Sequence, residues 1–540
     1  MSNGVGYITV HHYAKSVDYA VIAILIVVGA AIRWRFEVRG QSHLFPSNSN
    51  LEPRTSRIAS VLAIATFLLM FFVHDHPYVV MDPFHEGEHL APAFLFHSGE
   101  RPYGDVFILH GLAVDGGLDS LVLGDPPSPR RTRRLETILD AATLALLAPI
   151  AVELCATAGG AAAAVFIALC AIGAGQVPIF PYWRFAPILL AILGILRYAR
   201  TGRGLFLAFA ASTVGLLWSL DTGMYAMAAT AICTAILRPP AKRVALFALI
   251  AIALPIAILL AVRGNLWRFI VDSFVIVPRS IDAIWSLPAR KTFDWESARY
   301  YVPPIFFGWL LAAGVRKRDP RAIAVAIFSI IAFRSAAGRC SWSHTRYGIP
   351  LFGVAVTAFA LEPLLLKKRW FTAVAIAVPL VMLVEVGPNS VAAAKFIGGW
   401  KARQQHIGLV PYPVATGRGI YTTPADAADL AALNGFVEAN AAPGAPIFDV
   451  ANERALYYLL QRRPPTRCFD ISFLSAPALA REAMGQLQSN PPAVVIVEGI
   501  RSIGDLDGVP NRVRVPWLFA WIDQNYPRRT RIGRFVVATK

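Results

Sequence analysis

The stretch DPFHEGEHLAPAFLFHSGERPYGDVFILHGLAVDGGLD, residues 82–119, decides how this chain is read. It concentrates Asp82, Glu86, Glu88, Glu100, Asp105, Asp115 and Asp119 with His85, His89, His97 and His110 in a chain that is otherwise mostly apolar. Over 540 residues the composition is 56% hydrophobic and 16% charged, with a mean hydropathy of +0.52. Soluble domains carry about 25% charged residues, so the composition describes a polytopic membrane protein. Ionisable groups are costly at membrane depth and are kept there for function. A segment this dense in them reads as a reaction centre at a membrane face.

Loop charges orient the stretch. An apolar run at about 18–34 is followed by Arg33, Arg35, Arg39, Arg54 and Arg57, which mark a cytoplasmic linker. The next run, about 57–75, then exits outside and puts Asp82 on the outer face. A weak span near 106–125 is predicted to return, because Arg130, Arg131, Arg133 and Arg134 follow it. Another span is predicted at about 136–155. Region 159–198 holds two apolar halves broken by GQVPIFPYWRFAP, and orientation requires an odd number of crossings there, so one half is expected to be re-entrant or broken. Later spans fall at about 204–220, 222–237, 243–262, 300–315, 321–335, 347–366 and 370–387. The basic clusters 238–243, 316–321 and 367–369 all land on the cytoplasmic side. Between two of these spans, 263–299 forms a second outer loop with Trp267, Trp285 and Trp295, residues that favour the interface.

Past about 388 the composition changes. Short β-like runs (446–450, 493–499) alternate with helical ones, the pattern of a small α/β domain. The expected fold is therefore a polytopic α-helical membrane protein of about 11–13 transmembrane helices with a small C-terminal extracytoplasmic α/β domain, divided as 1–387 and 388–540. The first apolar run has no small-residue cleavage site after it and reads as a retained helix. The net charge of +17 reflects the loop bias and also suits anionic lipid or a phosphate-bearing substrate. No basic motif with aromatic interleaving points to nucleic acid. The five cysteines show no CxxC spacing. Cys340 and Cys468 share the outer compartment, which leaves a disulfide between them open.

Within the loop, Asp82 followed by Pro83 is a normal helix start. Asp82 and Glu86 are four apart and would share a helix face, so they can divide the tasks of general base and orienting or metal-binding group. Glu88 is a further acidic candidate. His85-Glu86-Gly87-Glu88-His89 matches HExxH, whose two histidines would hold zinc with the glutamate as base. A divalent metal on His85, His89 and Glu86 is thus an alternative, although Gly87 weakens a helix there. Tyr103 lies in a Gly/Pro turn, and His110 opens the returning segment.

The acid of the first outer loop, the amphipathic APAFLFHSGERPY and the PYGDVFILHG return together resemble the GT-C glycosyltransferases. These polytopic enzymes include protein mannosyltransferases and aminoarabinose transferases. The resemblance implies a polyprenyl-phosphate-linked sugar as donor and an extracytoplasmic glycan, lipid or protein as acceptor. It also implies a bacterial inner-membrane location with the site facing outward, and Asp82 as the residue that activates the acceptor. The chain departs from the family in that Asp82 follows the second predicted span and the paired acidic dipeptide is absent. Asp221, in WSLDTGMY at the outer end of a span, is read as substrate-binding together with Glu88, His85, Tyr103 and His110. RSAAGRCSWSHTRYG (334–348) supplies Arg339, His344, Arg346 and Tyr347, with Arg334, as a counter-charge for a leaving phosphate. The competing functions are a zinc protease built on HEGEH and a lipid or glycan transporter that uses the loop as a gate.

Overall fold

The computed structural model describes residues 16–35, 52–74, 78, 80–172, 181–285, 287–288, 295–340, 344, 349–374, 405–499, 505–506 and 509–540. Among them, seven helices are long and apolar enough to cross a membrane: Ser16–Trp34, Ser56–Val73, Pro129–Leu154, Tyr182–Thr201, Leu220–Leu237, Ala241–Ala261 and Pro320–Gly338. Three shorter apolar helices (Ala158–Leu169, Leu205–Trp218, Pro350–Leu366) pack among them, as does the 23-residue helix Trp295–Lys317. Side chains such as Ile24, Val27, Val61 and Leu249 stay exposed, as expected of a surface that faces hydrocarbon rather than water. The chain is a polytopic α-helical membrane protein. The expected end of the last span and the domain boundary at 387/388 lie outside the described residues.

One expected span is not a crossing. Within 106–125 the helical pieces are the π-turn Ala113–Gly117 and the five-residue Leu118–Val122, too short for a hydrocarbon core of about 30 Å. The segment is instead packed inside the protein, with Val106, Phe107, Ile108 and Leu109 in the core. Arg130–Arg134 therefore do not mark the opposite face. Arg133 forks onto Glu86, and Ser128 donates to the Arg418 carbonyl in the C-terminal region, so these arginines lie on the same side as Asp82. Their charge answers buried acids, which a loop count cannot distinguish from topology. In 159–198, where the sequence suggests a re-entrant or broken half, Ala158–Ile172 and Tyr182–Thr201 are two separate helices. Further on, Arg238 ends an 18-residue helix, about 27 Å from Asp221 at its start.

The C-terminal region is α/β. Its four-stranded sheet uses β1 (Ile447–Asp449), β2 (Val494–Glu498), β3 (Arg528–Ile532) and β4 (Phe535–Thr539) in the order β1-β2-β4-β3. β1 and β2 are parallel, with Phe448 opposite Val495, and the other pairs are antiparallel. Parallel neighbours need a crossover, supplied here by Ala455–Leu459 and Pro477–Ser489. The inward strand residues Phe448, Val495 and Val537 belong to one apolar core that also contains Leu90, Phe94, Phe107 and Leu109 of the first outer loop and Leu220 of a membrane helix. The outer loop is thus held between membrane helices and sheet. Arg467 secures the second outer loop in the same way, with a buried fork onto Asp272 (2.7 and 3.0 Å) and a bond to Glu482. Cys340 and Cys468 are buried and do not form the disulfide left open by the sequence.

Candidate active site

Helix Gly87–His97 starts one turn later than the Asp82-Pro83 signal suggests. Residues 83–86 form turns, and Asp82 serves them: its Oδ1 accepts from the amides of Phe84 (3.1 Å) and His85 (3.3 Å), and its Oδ2 meets His85 Nδ1 at 2.9 Å. Residues three apart share a helical face, and the charged residues of HEGEH divide accordingly. His85 and Glu88 face one way, Glu86 and His89 the other.

The face of His85 and Glu88 borders a cavity of about 330 Å³, within the usual range of about 300–1,000 Å³ for small-molecule sites. Four parts of the chain meet there. The outer loop contributes Phe84, His85, Glu88, Leu109 and His110. Membrane helices contribute Arg184, Asp221, Met224 and Tyr225. The second outer loop adds the apolar Val277, Pro278 and Ile281, and the 334–344 segment adds Arg334, Arg339 and His344. The lining is therefore part apolar and part strongly cationic, and it includes two carboxylates, Glu88 and Asp221.

Each charged group is held by a partner. Glu88 is 2.6 Å from Arg454 Nη1. Burial would raise its carboxyl, but Arg454, His110 and His85 outweigh that and lower it to about 2. Asp115 accepts from the amides of Leu109 (2.7 Å) and His110 (2.8 Å) and from His110 Nδ1 (2.9 Å), which leaves Nε2 as the ring nitrogen on the cavity side. Burial pulls the His110 imidazole toward neutrality, but Asp115 overrides it and holds the ring above its ordinary value. Gly111 lets this loop reach the helix behind it. Its φ is +124°, and a Cβ there would sit 2.8 Å from Ser219 Cα. Asp221 Oδ1 receives Ser219 Oγ (2.8 Å), its neighbour's amide (2.9 Å) and Arg184 Nη2 (3.2 Å). Arg334 stacks over Tyr19 of the first helix at 4.7 Å.

The opposite face enters a sealed cluster. Glu86 takes both ends of the Arg133 guanidinium at 2.8 Å. His89 Nδ1 meets Asp119 at 2.7 Å, and its Nε2 lies 3.5 Å from Glu136. Arg133 and Glu136 are themselves three apart, so two rungs join the helices. Desolvation opposes charge on His89, but Glu136 and Asp119 prevail and raise its pKa to about 10. The ligand atoms of His89, Asp119 and Glu136 lie within 4.8 Å of one another, close enough for one ion, yet both ring nitrogens are already directed at carboxylates. An imidazolium bridge accounts for the arrangement. The structure does not bring the HExxH set together: His85 sits before the helix on Asp82, and His89 belongs to another cluster.

No protein-family model matches the chain, and no curated protein does. Among solved structures it is similar to two crystal structures of ArnT from Cupriavidus metallidurans, at 15% identity in both cases. The apo structure covers 89% of this chain and 98% of its own, with a TM-score of 0.44. The structure bound to undecaprenyl phosphate covers 89% and 97%, with a TM-score of 0.48.

The cavity brings together seven of the residues singled out from sequence: His85, Glu88, His110, Asp221, Arg334, Arg339 and His344. Asp82 and Glu86 are not among its lining residues. Tyr103 is a core side chain, 1% exposed and packed on Phe269, because the turn at φ +62° folds it inward. Arg346 and Tyr347 lie outside the described residues. Sequence reading missed Arg184, Tyr225 and Arg454. A lone arginine inside the apolar PYWRFAP was a usable signal for Arg184. Arg454, in a distant α/β segment, offered none.

Proposed function

We propose that the protein transfers a sugar from a polyprenyl-phosphate carrier to an acceptor at the outer membrane face, with inversion. The observation that carries this reading is one cavity lined together by arginines, histidines, two carboxylates and apolar side chains. Arg184, Arg334, Arg339 and His344 suit a phosphate leaving group, since guanidinium forks match its oxygens. The His110 imidazolium, oriented by Asp115, adds a donor where negative charge develops. Val277, Pro278 and Ile281 suit the first units of the lipid tail.

The acceptor hydroxyl or amine then approaches from the C-terminal side, next to Glu88. Glu88 is the carboxylate we assign as proton acceptor, in place of Asp82. A glutamate this acidic is a weak base toward an alcohol. It is adequate once the acceptor atom has begun to bond to the sugar carbon, because that atom becomes strongly acidic. Until then its negative charge stabilises the positive charge on the sugar ring. Asp221 holds Arg184 and borders the same space. Asp82 and Glu86 act behind the wall, orienting His85 and bracing the helix start. By this reading the protein belongs in a bacterial inner membrane with the cavity toward the periplasm, and its acceptor is a glycan, lipid or protein of the envelope.

The test is to incubate the purified protein in nanodiscs with a panel of polyprenyl-phosphate monosaccharides and envelope acceptors, and to follow polyprenyl phosphate release by mass spectrometry. Release that requires Glu88 supports transfer. Intact lipid-sugar carried across a sealed vesicle would support a transporter instead.

A further inference from the structure

Arg454 belongs to the C-terminal α/β region, just past the end of β1, yet it touches two residues that line the cavity, Glu88 and Phe84. It is 1% exposed. One guanidinium nitrogen lies 2.6 Å from Glu88 Oε1 and also approaches the Phe84 carbonyl at 3.4 Å. A second nitrogen meets Asp470, which is buried beneath it. The guanidinium carbon sits 3.9 Å from the centre of the Phe84 ring, itself part of the cavity wall. The backbone repeats the contact, since the Ala455 amide donates to the Pro83 carbonyl at 3.0 Å. Gly87 makes the approach feasible, because a Cβ there would stand 2.3 Å from Ala455 N and 2.8 Å from the Arg454 side chain. Arg454 thus spans from the buried Asp470 to a carboxylate on the cavity surface.

We propose that Arg454 is a positioning residue for Glu88, so that the C-terminal region completes the reaction centre by fixing the orientation of that carboxylate. The proposal rests on the assignment of Glu88 above. Around Glu88, His85 comes from the preceding turn, His110 from the return loop, and Arg454 and Asp470 from the C-terminal region. Arg454 is the largest favourable influence among these on the ionised form. Replacing it with a neutral residue removes the largest influence that favours the carboxylate, leaving burial opposed only by His110 and His85.

The experiment uses the full chain in nanodiscs and compares R454Q, R454K, E88Q and the double variant R454Q/E88Q. The first readout is infrared detection of a protonated carboxyl during pH titration, with Glu88 assigned as the band lost in E88Q. In the parent this band is expected only near pH 2, and in R454Q it should appear at a distinctly higher pH. R454K is expected to stay close to the parent. The second readout is the pH profile of polyprenyl phosphate release from a polyprenyl-phosphate hexose. R454Q should move the acid limb upward and recover part of the activity at higher pH, and the double variant should be no worse than E88Q alone. An unchanged Glu88 band in folded R454Q, or an equal loss at every pH added to that of E88Q, overturns the proposal. A shifted band with no turnover in any variant leaves the positioning role standing and counts against the transferase reading.

Discussion

Five consecutive residues, HEGEH, supply two ionic clusters that differ in kind. His85 and Glu88 open onto a cavity with space beside them, while Glu86 and His89 enter a packed seam where every charge meets a counter-charge. Residue type does not distinguish the two pairs. What differs is where the facing helix puts Arg133 and Glu136. Spare room beside a held charge is what allows chemistry. Charges closed against each other instead tie helix Gly87–His97 to Pro129–Leu154. The motif is thus half cavity lining and half brace, with consecutive positions serving different ends.

The largest effect should come from the open half. E88Q is expected to lower kcat by about 10²–10⁴-fold, the span of a general acid–base group, with the melting temperature retained. R184A should come next, raising KM for the lipid-linked sugar about tenfold or more through loss of roughly 1.5–3 kcal/mol of charged hydrogen bonding; an unchanged KM would remove Arg184 from the phosphate site. In the sealed half the readout changes to stability. H89L leaves Asp119 and Glu136 buried without their cation, a change that costs about 3–5 kcal/mol and should appear as a large fall in melting temperature.

His89 also carries a pH signature. Its folded pKa is raised from 6.5 to about 10, so its contribution to stability is complete below 6.5 and is lost as pH rises through 10. Melting temperature should therefore decline across that window in the parent. H89Q should flatten the decline. An equal decline in both would detach the effect from His89.

Much of this was legible in the chain. Apolar runs gave the membrane class, and alternating short runs gave the α/β character of the C-terminal region, because those properties follow from local composition. The 106–125 span was misread since a segment buried in protein and one buried in lipid have the same hydropathy. Arg130–Arg134 misled for a related reason: a loop charge count cannot see that Arg133 answers Glu86. Within HEGEH, the sequence offered an i, i+4 reading from Asp82. A helix that begins at Gly87 rotates Glu88 to the cavity instead. Arg454 could not be found from sequence, because its contact with Glu88 spans the length of the membrane portion.

The smallest expected effect is at Asp82. D82N keeps an oxygen to accept the Phe84 and His85 amides and loses only the charge beside His85, so turnover should fall by less than about tenfold, near 1 kcal/mol. The most direct test of the account sets that variant beside E88Q in one assay of polyprenyl phosphate release from a polyprenyl-phosphate sugar. The account predicts that E88Q abolishes release while D82N retains most of it. Loss in D82N with retention in E88Q would contradict it and return the proton-accepting role to Asp82.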